Sequence, residues 1–183
     1  MGIRCPAPPA VLVVALTAAP TAPTNLVNDA LVERWGAVAD QSDPYEFDPF
    51  TVYYASEMGC GLVKRLVAFR DPISQETLVA VKLAANALES RWVNESGGRT
   101  VNLDPGYLTP HALVLASTKP ASHRIYLRDG IYAEVTLRYE RGTYAPLPWT
   151  YPDYRQPVVL AFLGRLRPAA LALTPETPLR SKP

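Results

Sequence analysis

Two stretches of the chain have apolar residues at helical spacing. The first runs from Thr24, a residue suited to the start of a helix, to Gly36, which is suited to its end. It places four apolar residues on one face: Val27, Ala30, Leu31 and Trp35. The second follows Ser74 and ends before Gly97, and it places five on one face: Leu78, Val81, Ala85, Leu88 and Trp92. Both patterns predict amphipathic helices.

Short apolar runs predict strands at residues 11–16, 66–69, 101–103 and 113–116. The first run also resembles the apolar part of a secretion signal, because small residues follow it. We favour a strand, since the preceding segment is rich in proline and carries little positive charge. The run is also far too short to span a bilayer.

A hairpin is predicted where Asp129-Gly130 separates two β-rich runs. With a two-residue turn, Ile125 would lie opposite Glu134, and His123 would be a diagonal neighbour of Glu134 on the same face. Residues 140–144 allow a second turn. The second half of the chain is therefore expected to be mostly β structure.

The order of these elements predicts an α+β fold with a mostly antiparallel sheet and two main helices on one face. We expect a ferredoxin-like core with extra strands. A flexible N-terminal segment is predicted at residues 1–8 and a single domain at residues 9–167. A flexible, proline-rich tail is predicted at residues 168–183.

Composition and charge disfavour several kinds of binding partner. The chain has 183 residues, 48% of them hydrophobic and 19% charged, and its net charge is +1. This balance is typical of a globular protein and gives no global field that would attract nucleic acid or an anionic membrane. There are two cysteines, Cys5 and Cys60, without zinc-site spacing. A reducing, cytoplasmic setting is the simplest expectation.

Glu134 and His123 are the first candidates for chemistry. Glu134 lies in the apolar string IYAEVTL, where a carboxylate is costly to bury without a partner. The predicted hairpin brings it within reach of His123. The alternative is that Glu134 reaches solvent or pairs with Arg138 or Arg124.

The string STKPASHR, just before the hairpin, predicts an anion site. It supplies Lys119 and Arg124 together with the hydroxyls of Ser117 and Thr118. It lacks the glycine pattern of a phosphate-binding P-loop. The alternative is an ordinary polar loop.

Asp104-Pro105-Gly106 favours a turn, because proline restricts the residue before it and glycine tolerates positive φ. That turn needs neither Asn102 nor Tyr107. With Asp104, these two residues are also typical of a ligand-binding loop at the end of a strand.

Two aromatic strings add candidates. PLPWTYPDYR contains Trp149, Tyr151 and Asp153, and YEFDPFTVYYASEMG combines aromatic rings with acids. Rings interleaved with charge could stack a base or a sugar. They could equally cap the core.

Five strings together resemble the bacterial and archaeal family DUF4416, a domain of unknown function: VNLDPGYL, LVLASTK, HRIYL, GIYAEVTLRY and LPWTYPDYR. The similarity spans residues 11–155, with weaker agreement through FTVYYASEMG and the second predicted helix. The resemblance implies no activity or cofactor. It supports treating the run that begins at Val11 as a strand.

The leading hypothesis is a pocket for a small polar or anionic molecule, used by an enzyme for acid–base or metal-assisted chemistry. Glu134 or Asp104 would act as general base or metal ligand, and His123 as acid, base or second ligand. Seven residues would contact the ligand: Asn102, Tyr107, Lys119, Arg124, Trp149, Tyr151 and Asp153. No HxxxH or comparable spacing supports a metal, so cofactor and metal stay open.

Two other classes compete with this hypothesis. A non-catalytic module would recognise RNA or a nucleotide through tyrosines and basic residues, although the near-neutral charge and the lack of an RNP-like string weaken it. A structural or adaptor protein would use the polar strings only to pack its loops. The oligomeric state cannot be read from the sequence.

Overall fold

The computed structural model describes residues 5–174. Within this range nine strands form one antiparallel sheet. They are β1 (Val11–Ala18), β2 (Val38–Gln41), β3 (Tyr45–Glu46), β4 (Val63–Phe69), β5 (Val101–Leu108), β6 (Ala112–Ser117), β7 (Ile125–Arg128), β8 (Ile131–Glu140) and β9 (Thr143–Pro146). The order across the sheet is β2-β4-β1-β5-β6-β8-β7, with β3 beside β4 and β9 beside β8.

Helices accompany the sheet, which confirms the α+β class. They are α1 (Thr24–Trp35), α2 (Ala55–Met58), α3 (Leu78–Glu89) and α4 (Pro157–Ala172). Short 3₁₀ turns occupy Asp48–Phe50, Gln75–Thr77 and Pro152–Arg155. Gly36 ends α1 with a φ of 84°, a conformation that favours glycine.

The core has two apolar layers, one on each face of the sheet. Because side chains alternate along a strand, β1 contributes to both. Leu12 and its alternating neighbours join a cluster that contains buried apolar residues of both α1 and α3. Val13 and its alternating neighbours join the cluster that contains Phe162 and Leu163 of α4. The apolar run at Val11 is thus a buried central strand, as predicted.

The C-terminal helix was not predicted. Prolines near both ends of its sequence argue against a helix. Pro157, however, occupies the first helical position, where proline is tolerated. The helix continues through Pro168 to Ala172, so it passes the boundary at 168 that we expected for a flexible tail. The remainder of that predicted tail, like residues 1–4, lies outside the described residues.

The predicted turn at Asp104-Pro105-Gly106 is wrong, because these residues lie inside β5. β5 pairs with β1 along its whole length, and Val14 is the partner of Pro105. β6 pairs with β5 only at Gly106–Leu108, so no strand needs the N–H that Pro105 lacks. A Cβ on Gly106 would overlap the carbonyl oxygen of Val114, so glycine allows the two strands to approach.

The predicted hairpin forms, but its register differs from the expected one. Asp129 and Gly130 both have positive φ, 53° and 73°, as a two-residue turn requires. A bulge next to the turn then shifts the pairing, so Ile125 lies opposite Ala133 and not Glu134. The second turn also forms, since β9 pairs with β8 across Arg141 and Gly142.

Candidate functional site

A cavity of about 430 Å³ lies where β5 and β6 separate. Its walls come from β4, β5, β6, β8 and α3. Two further segments complete it: residues 47–58, which we call the cover segment, and residues 151–154. A volume of this size is within the usual range for small-molecule sites.

Helix α3 replaces the strand that is missing beside the first half of β5. Lys82 Nζ donates a hydrogen bond to the carbonyl oxygen of Leu103 at 2.8 Å. Glu89 Oε1 accepts one from the N–H of Leu103 at 2.6 Å. These side chains satisfy backbone groups that a neighbouring strand would otherwise pair. The sheet can therefore open there without leaving those groups unbonded.

Lys64 and Asp153 form a buried ion pair at the floor of the cavity. Their side chains are 3% and 5% exposed, and Lys64 Nζ lies 2.6 Å from Asp153 Oδ2. The same nitrogen lies 4.7 Å from the ring centre of Phe47 and 4.6 Å from that of Tyr154. Within the described residues, the buried Tyr154 hydroxyl has no hydrogen-bond partner. The oxygen of that hydroxyl is enclosed by protein and is not presented to the cavity.

Asp104 is the most accessible carboxylate that lines the cavity, with 30% of its side chain exposed. Lys82 Nζ lies 3.3 Å from its Oδ1, and Asn102 Nδ2 donates to its Oδ2 at 2.8 Å. Burial alone would raise the pKa of Asp104, but Lys82, Lys64 and Asn102 together lower the pKa below its ordinary value. Asp104 is therefore ionised at neutral pH.

Glu134 is enclosed by donors. Its Oε2 accepts a hydrogen bond from Arg124 Nε at 2.6 Å and lies 3.2 Å from His123 Nε2. Its Oε1 accepts a hydrogen bond from the Thr136 hydroxyl at 3.1 Å. The predicted proximity of His123 and Glu134 is thus observed, although the register that predicted it is wrong. With its side chain 1% exposed, Glu134 is placed to hold Arg124 in position.

Arg99 fastens the cover segment to the rest of the protein. Its Nε and Nη2 donate to the two carboxylate oxygens of Glu57 at 2.6 and 2.9 Å. Its Nη1 donates to Glu89 at 2.6 Å. These hydrogen bonds raise the pKa of Arg99, and the bond from Arg99 lowers that of Glu57. Asp48 closes the segment by accepting bonds from two backbone N–H groups, at Gly61 and Leu62.

The mouth of the cavity contains Lys119. Its ammonium lies 3.7 Å from the ring centre of Tyr53 in the cover segment. Arg124 Nη2 donates to the Tyr151 hydroxyl nearby, at 2.8 Å. In the described part of the chain Lys119 makes no ion pair.

Most of the residues predicted as site residues line this one cavity: Asn102, Asp104, Lys119, Arg124, Glu134, Tyr151 and Asp153. The other three do not. His123 contacts Glu134 without lining the cavity, and Trp149 stacks on His123 with ring centres 5.3 Å apart. Tyr107 packs against an apolar cluster that includes Ile131.

Four charged residues of the cavity were not predicted: Lys64, Lys82, Glu89 and Arg99. A signal existed for two of them. Lys82 follows Leu78 by four residues, and Glu89 follows Ala85 by four, so both fall on the apolar face of the helix. A charged residue at a core position requires a partner. That rule could have identified them.

Residues 5–174 contain neither a candidate metal site nor a candidate membrane-spanning helix. No group of three or more His, Cys, Asp or Glu side chains there could hold a metal ion. In the same range no helix has the length and apolar character needed to cross a membrane.

The fold and the site together define a class: an α+β protein whose antiparallel sheet opens into a cavity lined by buried ion pairs. The chain belongs to the family DUF4416, a domain of unknown function, whose family model matches residues 8–169. This match confirms the resemblance noted in the sequence. No curated protein and no solved structure matches the chain.

Proposed function

We propose that the cavity binds a small polar molecule that carries a negative charge. Lys119 carries this proposal, because it is a lining cation that forms no ion pair in the described part of the chain. The Glu57 carboxylate is near enough to act on Lys119 electrostatically, but its hydrogen bonds are to Arg99. Its contact with Tyr53 is a cation–π interaction, worth about 0.5–1 kcal/mol at an exposed site. An anion would bind the ammonium more strongly than the ring does.

The pairing of charges around the cavity supports the same proposal. Five cations line it: Lys64, Lys82, Lys119, Arg99 and Arg124. Four carboxylates line it: Glu89, Asp104, Glu134 and Asp153. These four carboxylates and Glu57, which bonds Arg99 from outside the lining, all form ion pairs with cations other than Lys119. Lys119 is therefore the lining cation that no described carboxylate pairs. The Ser117 and Thr118 hydroxyls line the same region and can donate further hydrogen bonds.

The test is a calorimetric titration with inorganic phosphate. Lys119→Gln should weaken phosphate binding about tenfold, which is the usual effect of losing one hydrogen bond to a charged group. Arg91→Gln removes the same charge from an exposed residue that does not line the cavity, and it should leave binding unchanged. Equal weakening by both variants would contradict the proposal.

The same titration separates the rival classes. A nucleic-acid module would bind a single-stranded oligonucleotide with a steep dependence on salt and would bind phosphate no more tightly than other surfaces do. An adaptor or structural protein would bind neither. In that case Lys119→Gln would change only stability.

A catalytic use of the cavity would rest on Asp104. Unlike Glu134, it is accessible from the cavity, and it is ionised at neutral pH, as a general base must be. For any ligand that the protein converts, Asp104→Asn should lower kcat by about a hundredfold or more with little change in ligand affinity. An unchanged kcat in a folded Asp104→Asn variant would exclude this role.

The strand order supports a ferredoxin-like core within the larger sheet. β1, β2, β4 and β5 appear in the order β2-β4-β1-β5, with α1 following β1 and α3 following β4. The two helices share one hydrophobic cluster, consistent with both lying on one face. In this proposal β6 to β9 and α4 extend that core. An experimental structure with a different strand order would contradict it.

We retain a cytoplasmic location as part of the proposal. Its support is compositional: two cysteines in 183 residues and no zinc-site spacing. Cell fractionation of the tagged protein would test it, and recovery in the secreted fraction would contradict it.

A further inference from the structure

We propose that the ligand is a planar aromatic ring bearing one anionic group, either a phosphate or a carboxylate. This inference rests on the proposed function and adds to it the shape of the molecule. It follows from the rings that line the cavity and from the different chemistry of its floor and its mouth.

Aromatic side chains form much of the cavity wall, and they come from two separate segments. The cover segment contributes Phe47, Phe50, Tyr53 and Tyr54, and residues 151–154 contribute Tyr151 and Tyr154. Aromatic rings favour stacked or edge-to-face contact with another ring over contact with a saturated group of equal size. A space bounded by rings from two segments therefore favours a flat occupant.

The floor shows that the two segments approach each other. Lys64 Nζ contacts Phe47 of the cover segment and Tyr154 of the other segment at nearly equal distances, 4.7 and 4.6 Å. Tyr54 of the cover segment and Tyr151 of the other segment line the same cavity. Both segments therefore supply rings to one space.

The floor and the mouth differ in charge. At the floor, Lys64 is neutralised by Asp153, and its ammonium contacts the rings of Phe47 and Tyr154. A neutral floor beside aromatic rings suits an uncharged ring. At the mouth, Lys119 is exposed and forms no ion pair among the described residues. A ligand with its ring inside and its anionic group at the mouth matches both ends.

The contact between Lys119 and Tyr53 indicates how such a ligand would bind at the mouth. The ammonium covers the face of the tyrosine ring. When an anionic group draws the ammonium away, that ring face becomes available to the ring of the ligand. The Lys119 ammonium then contacts the anionic group, and the Tyr53 ring contacts the ring of the same ligand.

The test compares ligands of equal charge and similar size that differ in planarity. Phenyl phosphate is paired with cyclohexyl phosphate, and benzoate with cyclohexanecarboxylate, by calorimetric titration. We expect the aromatic member of at least one pair to bind about threefold to tenfold more tightly than its saturated counterpart. The pair with the larger difference identifies the anionic group.

Variants at Tyr53 test whether the preference for the aromatic ligand arises in the cavity. Tyr53→Leu should reduce the affinity for the aromatic member to that of the saturated one, and Tyr53→Phe should retain the preference. Tyr126 is the matched control, because it is 58% exposed against 59% for Tyr53 but lies on β7, outside the cavity. Tyr126→Leu should have no effect.

The outcomes distinguish this inference from the proposed function. Equal affinity within both pairs, lost in Lys119→Gln, would overturn the aromatic inference and leave the anion site intact. Absence of binding by all four compounds and by inorganic phosphate would overturn both. A preference that survives Tyr53→Leu would also overturn the inference, because the ring would then be recognised elsewhere.

Discussion

At the scale of single residues, the cavity is built from buried charges that are each held by an opposite charge. Lys64 and Asp153 are the clearest example, since both side chains are almost completely buried. Removing water from two charges costs several kcal/mol per ion, and close pairing offsets much of that cost. Such a pair contributes little net stability. Loss of one partner, however, leaves the other charge buried without an opposite charge.

The Lys64–Asp153 pair gives a prediction about stability. Lys64→Met should lower the free energy of unfolding by about 3–5 kcal/mol, because it leaves Asp153 buried without its cation. In the double variant Lys64→Met/Asp153→Asn, a large part of that loss should be recovered. Urea unfolding of the wild type, both single variants and the double variant measures the coupling. Losses that simply add would show that the two side chains do not interact.

At the scale of secondary-structure elements, the cover segment depends on a contact distant in sequence. Glu57 and Arg99 are 42 residues apart, and two hydrogen bonds join their side chains. Together with the closure at Asp48, this contact holds the aromatic residues of the segment over the cavity. The segment contains only a 3₁₀ turn at Asp48–Phe50 and one turn of α-helix at Ala55–Met58, so little other secondary structure supports it.

The Glu57–Arg99 contact gives a prediction about pH. The hydrogen bond from Arg99 lowers the pKa of Glu57 below its ordinary value of 4.5, so folding favours the ionised carboxylate. This stabilisation is present above pH 4.5 and is lost as the pH falls through the lower pKa of the folded state. Glu57→Gln should therefore be less stable than the wild type at pH 7, and the difference should shrink at pH 3.

Urea unfolding at the two pH values measures this effect, and hydrogen exchange locates it. Amide exchange in residues 47–58 should be faster in Glu57→Gln at pH 7 than in the wild type. Glu33→Gln, which changes an exposed acid on α1, is the control and should change neither quantity. A stability difference that does not depend on pH would contradict the role given to Glu57.

The elements that could be predicted from the sequence are those with a local signal. The apolar spacing in α1 and α3 and the turn at Asp129-Gly130 depend on neighbours within a few residues. Pro105 and Gly106 carry an equally local turn signal, but pairing with β1 and the close approach of β6 override it. The Glu57–Arg99 contact depends on tertiary structure and has no local signal.

At the scale of the whole molecule, the sheet is buried on both faces near its centre and opens where β5 and β6 separate. α1 and α3 contribute to one apolar cluster, and α4 contributes to the other. Beyond the apolar part of the second cluster, charged residues replace apolar ones where β5 and β6 separate. The candidate site residues were predicted from several distant strings, and the fold brings seven of the ten to this opening.

Direct localisation of an anion tests the central claim, that this opening is an anion-binding site. The measurement is anomalous diffraction from crystals of the protein soaked in tungstate, which resembles phosphate in charge and shape. We predict a tungstate ion in the cavity within hydrogen-bonding distance of Lys119 Nζ, and its loss in crystals of Lys119→Gln. Tungstate found only on the outer surface, with the cavity accessible to solvent in the crystal, would contradict the claim.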